Sequence, residues 1–167
     1  LAREDSIEQI KHIKQNTNIE LEVFIHGALC VSYSGGCLFS SLLSLRSGNR
    51  GRCSQNCRRD YILHENGKPI SKPAFYLSMK DLCVGNNVTK LIDSNIDSLK
   101  IEGRMKKEEY VYQVVSSYKK AIDSYYENKK IDYQKEILKM KSLFSRDFTK
   151  GYLFNESRTS LLNQKTS

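Results

Sequence analysis

The chain has 167 residues, 39% apolar and 28% charged, with 27 Lys and Arg against 19 Asp and Glu for a formal charge of +8. That length suits one domain with its own core, no apolar run approaches the roughly eighteen residues of a membrane span, and the N-terminus is no signal peptide. These features point to the cytoplasm, where thiols stay reduced and bind metal more readily than they pair.

The first residue is Leu, and Leu-Ala-Arg-Glu reads as the end of a strand entered from upstream, so a piece of a longer protein is expected. Ser6-Ile-Glu-Gln9 has the form of a capping box. With Ile7, Ile10 and Ile13 at helical spacing it predicts a short helix over 5–16. Over 20–26, Leu21, Val23 and Ile25 alternate with Glu22, Phe24 and His26, which predicts a strand. Its end delivers Gly27 and then Cys30, and α/β folds place their sites at such strand ends.

A short helix is expected near 37–45 and loop over 46–57, with Ser47-Gly48-Asn49 as turn residues. Glu65-Asn66-Gly67-Lys68 signals a hairpin. Met79 to Cys83 reads as a helical turn, and Val88, Leu91 and Ile92 suggest a second short helix. Residues 97–103 alternate again, with Leu99 and Ile101 on one face and Lys100 and Glu102 on the other. A long amphipathic helix over 107–128 carries Val111, Val115, Tyr118, Ile122 and Tyr125 on its stripe. Another helix covers 133–143, and the last dozen residues are polar and expected to be loose.

The chemistry concentrates between Cys30 and Cys57, where four of the five cysteines follow the pattern C-x6-C-x15-C-x3-C with Gly35, Gly36, Gly48 and Gly51 between them. Soft thiolates on Gly-rich backbone suit a metal or iron–sulfur site better than a disulfide framework. Zinc is the runner-up, because Cys30-x6-Cys37 is loose for a zinc knuckle. Cys83, in Asp-Leu-Cys-Val, reads as a buried apolar thiol. His26 and Glu102, each at a strand end, serve either as acid–base groups or as structural residues. A Cys30–His26 protease pair has no visible orienting partner. Arg46, Arg50, Arg52 and Arg58 surround the cysteines and Arg104 follows Glu102, an arrangement that attracts anions such as RNA.

Several long stretches resemble the collagenase-like peptidase family U-32. They are Glu22-Val-Phe-Ile-His-Gly-Ala-Leu-Cys30-Val-Ser-Tyr-Ser-Gly-Gly-Cys37, Arg46-Ser-Gly-Asn-Arg-Gly-Arg-Cys53-Ser-Gln-Asn-Cys57-Arg58, Leu77-Ser-Met-Lys-Asp-Leu-Cys83 and Ser98-Leu-Lys-Ile-Glu-Gly-Arg-Met105. The likeness runs from Leu1 to Phe154, leaving 155–167 as a polar tail. It implies an α/β fold, the last portion of a (β/α)8 TIM-like barrel, with a Cys-rich insertion over 27–60. Leu1–Glu4 would close the sixth strand, with 20–26 the seventh and 97–103 the eighth. A piece with three barrel strands would leave edges unpaired and be unstable alone.

The resemblance also implies oxygen-independent hydroxylation of tRNA or rRNA with prephenate as hydroxyl donor, a tRNA wobble uridine being the expected target. It implies a 4Fe-4S cluster on Cys30, Cys37, Cys53 and Cys57, Cys83 being the spare, and a paralogous partner subunit. A collagenase-like peptidase and a non-catalytic scaffold are the contrary readings.

Overall fold

In the computed structural model, which describes residues 1–144 and 146–163, the strand expected from the alternation over 20–26 lies inside a four-stranded sheet. This strand, β1 (Glu22–Ala28), is flanked by β5 (Ser98–Ile101), which runs parallel to it, and β4 (Asp81–Cys83), which runs antiparallel. A short β6 (Phe148–Thr149) pairs with β4 in parallel, giving the order β5-β1-β4-β6. The sheet is mixed and open, and no closed barrel is present among the described residues. The sixth-strand expectation reduces to one parallel bridge, Ala2 to Val23.

Two expectations are corrected along these strands. Alternation over 20–26 predicts one wet face, yet Val23, Phe24, Ile25, His26 and Gly27 are all buried. The strand lies within the sheet, and register slips by one residue between Phe24 and His26 against β5. Cys83 sits on strand β4, not on a helical turn: Asp-Leu-Cys is too short for periodicity to separate the two.

The chain forms two compact units, one from Leu1–Ala28 with Asp81–Glu156 and a second from Leu29–Lys80 with the chain from Ser157 onward. In the first unit, α1 (Ile7–Asn16) begins with the expected capping box, Ser6 and Gln9 bonding each other's backbone N–H. Short α3 (Val88–Ile92) buries Val88 and Leu91. The long α4 (Glu108–Tyr126) packs against α5 (Tyr133–Leu143). Its buried face is Tyr110, Val114, Ser117, Tyr118 and Ala121, whereas Val111, Val115 and Tyr125 are exposed. The expected stripe is offset by one residue from this face and shares only Tyr118 with it. It misses Tyr110, Val114 and Ala121 as well as Ser117, whose hydroxyl donates to Glu136 of α5 at 2.7 Å.

In the second unit, α2 (Phe39–Ser44) occupies the expected helical stretch. The hairpin of β2 (His64–Glu65) and β3 (Lys68–Pro69) turns through Asn66 and Gly67, both at positive φ as a two-residue turn demands. Polarity predicts a loose tail, but Leu161 is buried, its carbonyl accepts from the Lys80 N–H at 2.8 Å, and Leu162 bridges to Met79. Residues 164–167, the rest of that expected tail, lie outside the described residues.

Candidate functional site

The second unit gathers the cysteine segment through side-chain-to-backbone bonds. Asn49 donates to the Gly35 carbonyl at 2.9 Å, and buried Asn56 reaches the Phe39 carbonyl at 3.5 Å. Tyr61 donates to the Asn56 carbonyl at 2.8 Å, and its ring stacks on Phe39. All four cysteines carry free thiols; Cys30, Cys37 and Cys57 are half-buried and Cys53 is exposed. Burial pushes the Cys57 thiol up, Arg58 opposes that rise, and Cys30, Cys53 and Cys37 add to it, so all three lie within electrostatic reach of Cys57. Cys53 Sγ accepts from the Gln55 N–H at 3.3 Å and from Ser40 Oγ at 3.7 Å.

The arginines divide into two kinds. Arg58 turns its guanidinium inward, donating to Ser78 Oγ at 3.2 Å and to the carbonyls of Met79 and Leu29. It thus ties the first residue of the excursion 29–80 to its last turn. Arg46, Arg50 and Arg52 are exposed, the latter two around the tight turn Gly48–Arg50, which closes through Gly51 at φ +77°. Arg104 is also exposed and belongs to the first unit, as do His26 and Glu102.

In the first unit, Gly27 has φ +117°, and a Cβ there would stand 2.7 Å from the Glu102 Cβ and 2.9 Å from its carbonyl oxygen. Only glycine lets β1 run this close to the end of β5, where the Glu102 N–H donates to the His26 carbonyl at 2.9 Å. That contact fixes where the half-buried Glu102 stands, just before exposed Arg104.

His26 is fully buried, with rings of Tyr110, Tyr118 and Phe148 around it. Its Nδ1 lies 3.3 Å from the Tyr118 hydroxyl, and among the described residues its Nε2 has no hydrogen-bond partner. The Tyr118 hydroxyl also takes the Gly85 N–H and faces the Ile25 carbonyl and Cys83 Sγ. Burial pushes the Cys83 thiol up to about 11, which keeps it protonated at neutral pH. Asp81, missed in the sequence because no spacing marks it, lies within electrostatic reach of His26. It is buried and held by Arg146, whose Nη2 and Nε reach Oδ1 at 2.9 and 3.2 Å.

Burial also lowers the His26 imidazole to about 4, with Asp81 opposing and Lys106 adding to the fall. Between pH 6.5 and 4 the unfolded chain therefore binds a proton that the folded chain refuses, so stability drops as pH drops through that window. The loss is about 3 kcal/mol. Urea midpoints measured across this range should show it, and His26→Gln should flatten that part of the slope. An unchanged slope in the variant would show that other groups carry the acid sensitivity.

Comparison with known proteins places the chain. The model of peptidase family U32 matches residues 1–163. The chain belongs to peptidase family U32. Among curated relatives, tRNA hydroxylation protein P1 of Bacillus subtilis is 46% identical over 132 residues, which is 75% of this chain and 31% of that protein. The 23S rRNA 5-hydroxycytidine C2501 synthase of Escherichia coli is 45% identical over 130 residues, 77% of this chain and 20% of that protein. A collagenase of Porphyromonas gingivalis is 36% identical over 143 residues, 83% and 39% respectively. The chain thus spans between a fifth and two fifths of these three relatives. No solved structure matches it.

For a U32 chain the question is whether the cysteines suit the group their chemistry suggests. The four thiols belong to one unit, and Cys53 already receives the N–H and O–H donors that stabilise a ligating sulfur. Among the described residues, no three or more His, Cys, Asp or Glu side chains come close enough to hold a single metal ion. A cubane offers each ligand its own iron, so its thiolates need not converge on one point. Four thiols on one unit are a donor set that either a cluster or a structural zinc would take. Among the described residues, no helix is long and apolar enough to cross a membrane.

Proposed function

We propose that the protein containing this chain hydroxylates RNA, with a tRNA wobble uridine as target and prephenate as hydroxyl donor, in the cytoplasm and beside a paralogous partner subunit. The observation that carries this reading is the gathering of Cys30, Cys37, Cys53 and Cys57 on a unit whose exposed arginines include Arg46, Arg50 and Arg52. The names of the Bacillus and Escherichia relatives support the RNA substrate. Those four cysteines would hold a 4Fe-4S cluster, which when bound supplies one-electron chemistry or a Lewis-acidic iron.

The remaining roles are assigned to this chain's own side chains. Arg50 and Arg52, with Arg46, take RNA phosphates; Arg104, whose fork suits a carboxylate, takes the small diacid; Glu102 beside it moves the proton. His26, fully buried, positions the end of β1 rather than touching substrate. Arg58 holds the cysteine segment together.

The collagenase relative keeps a peptidase reading in view. A thiol protease, however, needs its histidine on the cysteine, and His26 Nδ1 instead meets Tyr118.

Mass spectrometry of tRNA and rRNA nucleosides from a deletion strain tests the reading, with loss of one hydroxylated pyrimidine as the expected result. An unchanged nucleoside profile, together with cleavage of collagen-like peptide by iron-free protein, would replace it with the peptidase. Within the reading, Arg50→Ala should lower the salt slope of RNA binding by about one unit. Arg104→Ala should spare RNA affinity but lose hydroxylation at limiting prephenate.

A further inference from the structure

The cysteine unit contains a chain of hydroxyls that ends on one sulfur. Ser40, on α2, is 2% exposed, which is unusual for a serine whose helix neighbours Leu42 and Leu43 are largely exposed. Its Oγ accepts from the Ser54 N–H at 3.1 Å and lies 3.0 Å from Ser54 Oγ. Ser54 Oγ in turn lies 3.1 Å from Ser44 Oγ.

A thiolate at Cys53, which can only accept, then sets the direction. A hydroxyl has one proton and two lone pairs. Ser54 can give its proton to Ser40 or to Ser44. With Ser44 donating to Ser54 and Ser54 donating to Ser40, every short contact is used. Both Ser40 lone pairs are then filled, by the Ser54 N–H and the Ser54 hydroxyl. Its own proton is left for Cys53 Sγ at 3.7 Å. The same sulfur takes the Gln55 N–H at 3.3 Å, a bond made possible because Gln55 adopts φ +54°. A Cβ on Gly48 would stand in ordinary van der Waals contact with Cys53 Cβ at 3.7 Å and Ser40 Oγ at 3.8 Å, so this turn packs directly on the group.

We propose that Ser40 is a positioning residue for the cluster, whose hydroxyl, oriented by Ser54 and Ser44, donates to the Cys53 thiolate and raises the reduction potential of the bound iron–sulfur group. This rests on the reading of Cys30, Cys37, Cys53 and Cys57 as cluster ligands. The physical basis is charge: reduction adds an electron to a centre whose sulfurs carry it in part. A donor on a ligating sulfur therefore stabilises the reduced state more than the oxidised one. Cys53 is the exposed member of the quartet, so without these two donors its sulfur would be left to solvent.

The test is an anaerobic reductive titration of the intact protein, followed by visible absorption and electron paramagnetic resonance, on wild type, Ser40→Ala and Ser40→Thr. Iron and acid-labile sulfide are assayed on the same samples. Ser40→Ala should make reduction about tenfold less favourable, a midpoint roughly 59 mV more negative for a one-electron couple, with Ser40→Thr close to wild type. Iron loss from Ser40→Ala alone, with Ser40→Thr loaded, would also support the proposal, since the hydroxyl is what the two variants do not share. A wild-type midpoint in loaded Ser40→Ala would overturn it, as would equal iron loss from both variants, which would make Ser40 a packing residue. Wild-type protein without acid-labile sulfide would instead remove the cluster reading itself, and the role of Ser40 with it.

Discussion

Cys53→Ala is expected to lose most of the iron bound by the intact protein, while Cys83→Ala keeps it. Removing Cys53 leaves three thiolates and opens one iron to solvent, at the exposed corner of the quartet. Cys83 is different in kind. It lies on β4 opposite His26, is 6% exposed, and faces the Tyr118 hydroxyl at 3.8 Å. Burial holds its thiol at about 11, so it offers no thiolate at neutral pH. Truncating it should cost about 1 kcal/mol of packing without touching the metal. Iron and sulfide assays on protein purified without oxygen decide the matter, with about four irons per chain expected in wild type and in Cys83→Ala. Equal losses in the two variants would show that the ligand set is wrong.

Arg146→Ala should be among the most damaging substitutions in the first unit. The Asp81 carboxylate is 2% exposed at its side chain and is held by the Arg146 side chain and by the Arg146 N–H at 3.3 Å. Removing one partner of such a buried pair strands a charge, at a cost of about 3–5 kcal/mol. Replacing both, as in Asp81→Leu with Arg146→Met, should recover much of that loss, because the desolvation penalty goes with the charges. Urea unfolding of wild type and the two variants reads the difference directly. A loss under about 1 kcal/mol for Arg146→Ala would mean that water reaches Asp81 in solution.

Residues with a local signature are legible in the sequence. The capping box at Ser6 and the Asn66-Gly67 turn depend on near neighbours and stand where their patterns put them. The strands expected over 20–26 and 97–103 are present with shifted ends, Glu22–Ala28 and Ser98–Ile101. What the sequence hides is decided by long-range partners. Ser117 and Glu136 are polar residues buried because they face each other across two helices. β4 is three residues whose conformation comes from β1 and β6 rather than from its own pattern. The four cysteines stand out by their spacing. That Arg58 serves backbone carbonyls and Ser40 serves a sulfur cannot, because both depend on residues brought together only by the fold.

The pairing of Ala28 with Asp81 has a bearing on how the chain folds. For β1 to meet β4, the ends of a loop of about 50 residues, Leu29–Lys80, must first find each other, at an entropic cost near ~3.5 kcal/mol by chain-closure statistics. Each halving of the slack returns about 0.6 kcal/mol. Anything that binds Cys30 and Cys57 together takes roughly half of that loop out of play. Loading the cysteines should therefore hasten the closing of a sheet they need never touch, and apoprotein should refold more slowly than loaded protein with the same final strand pairing.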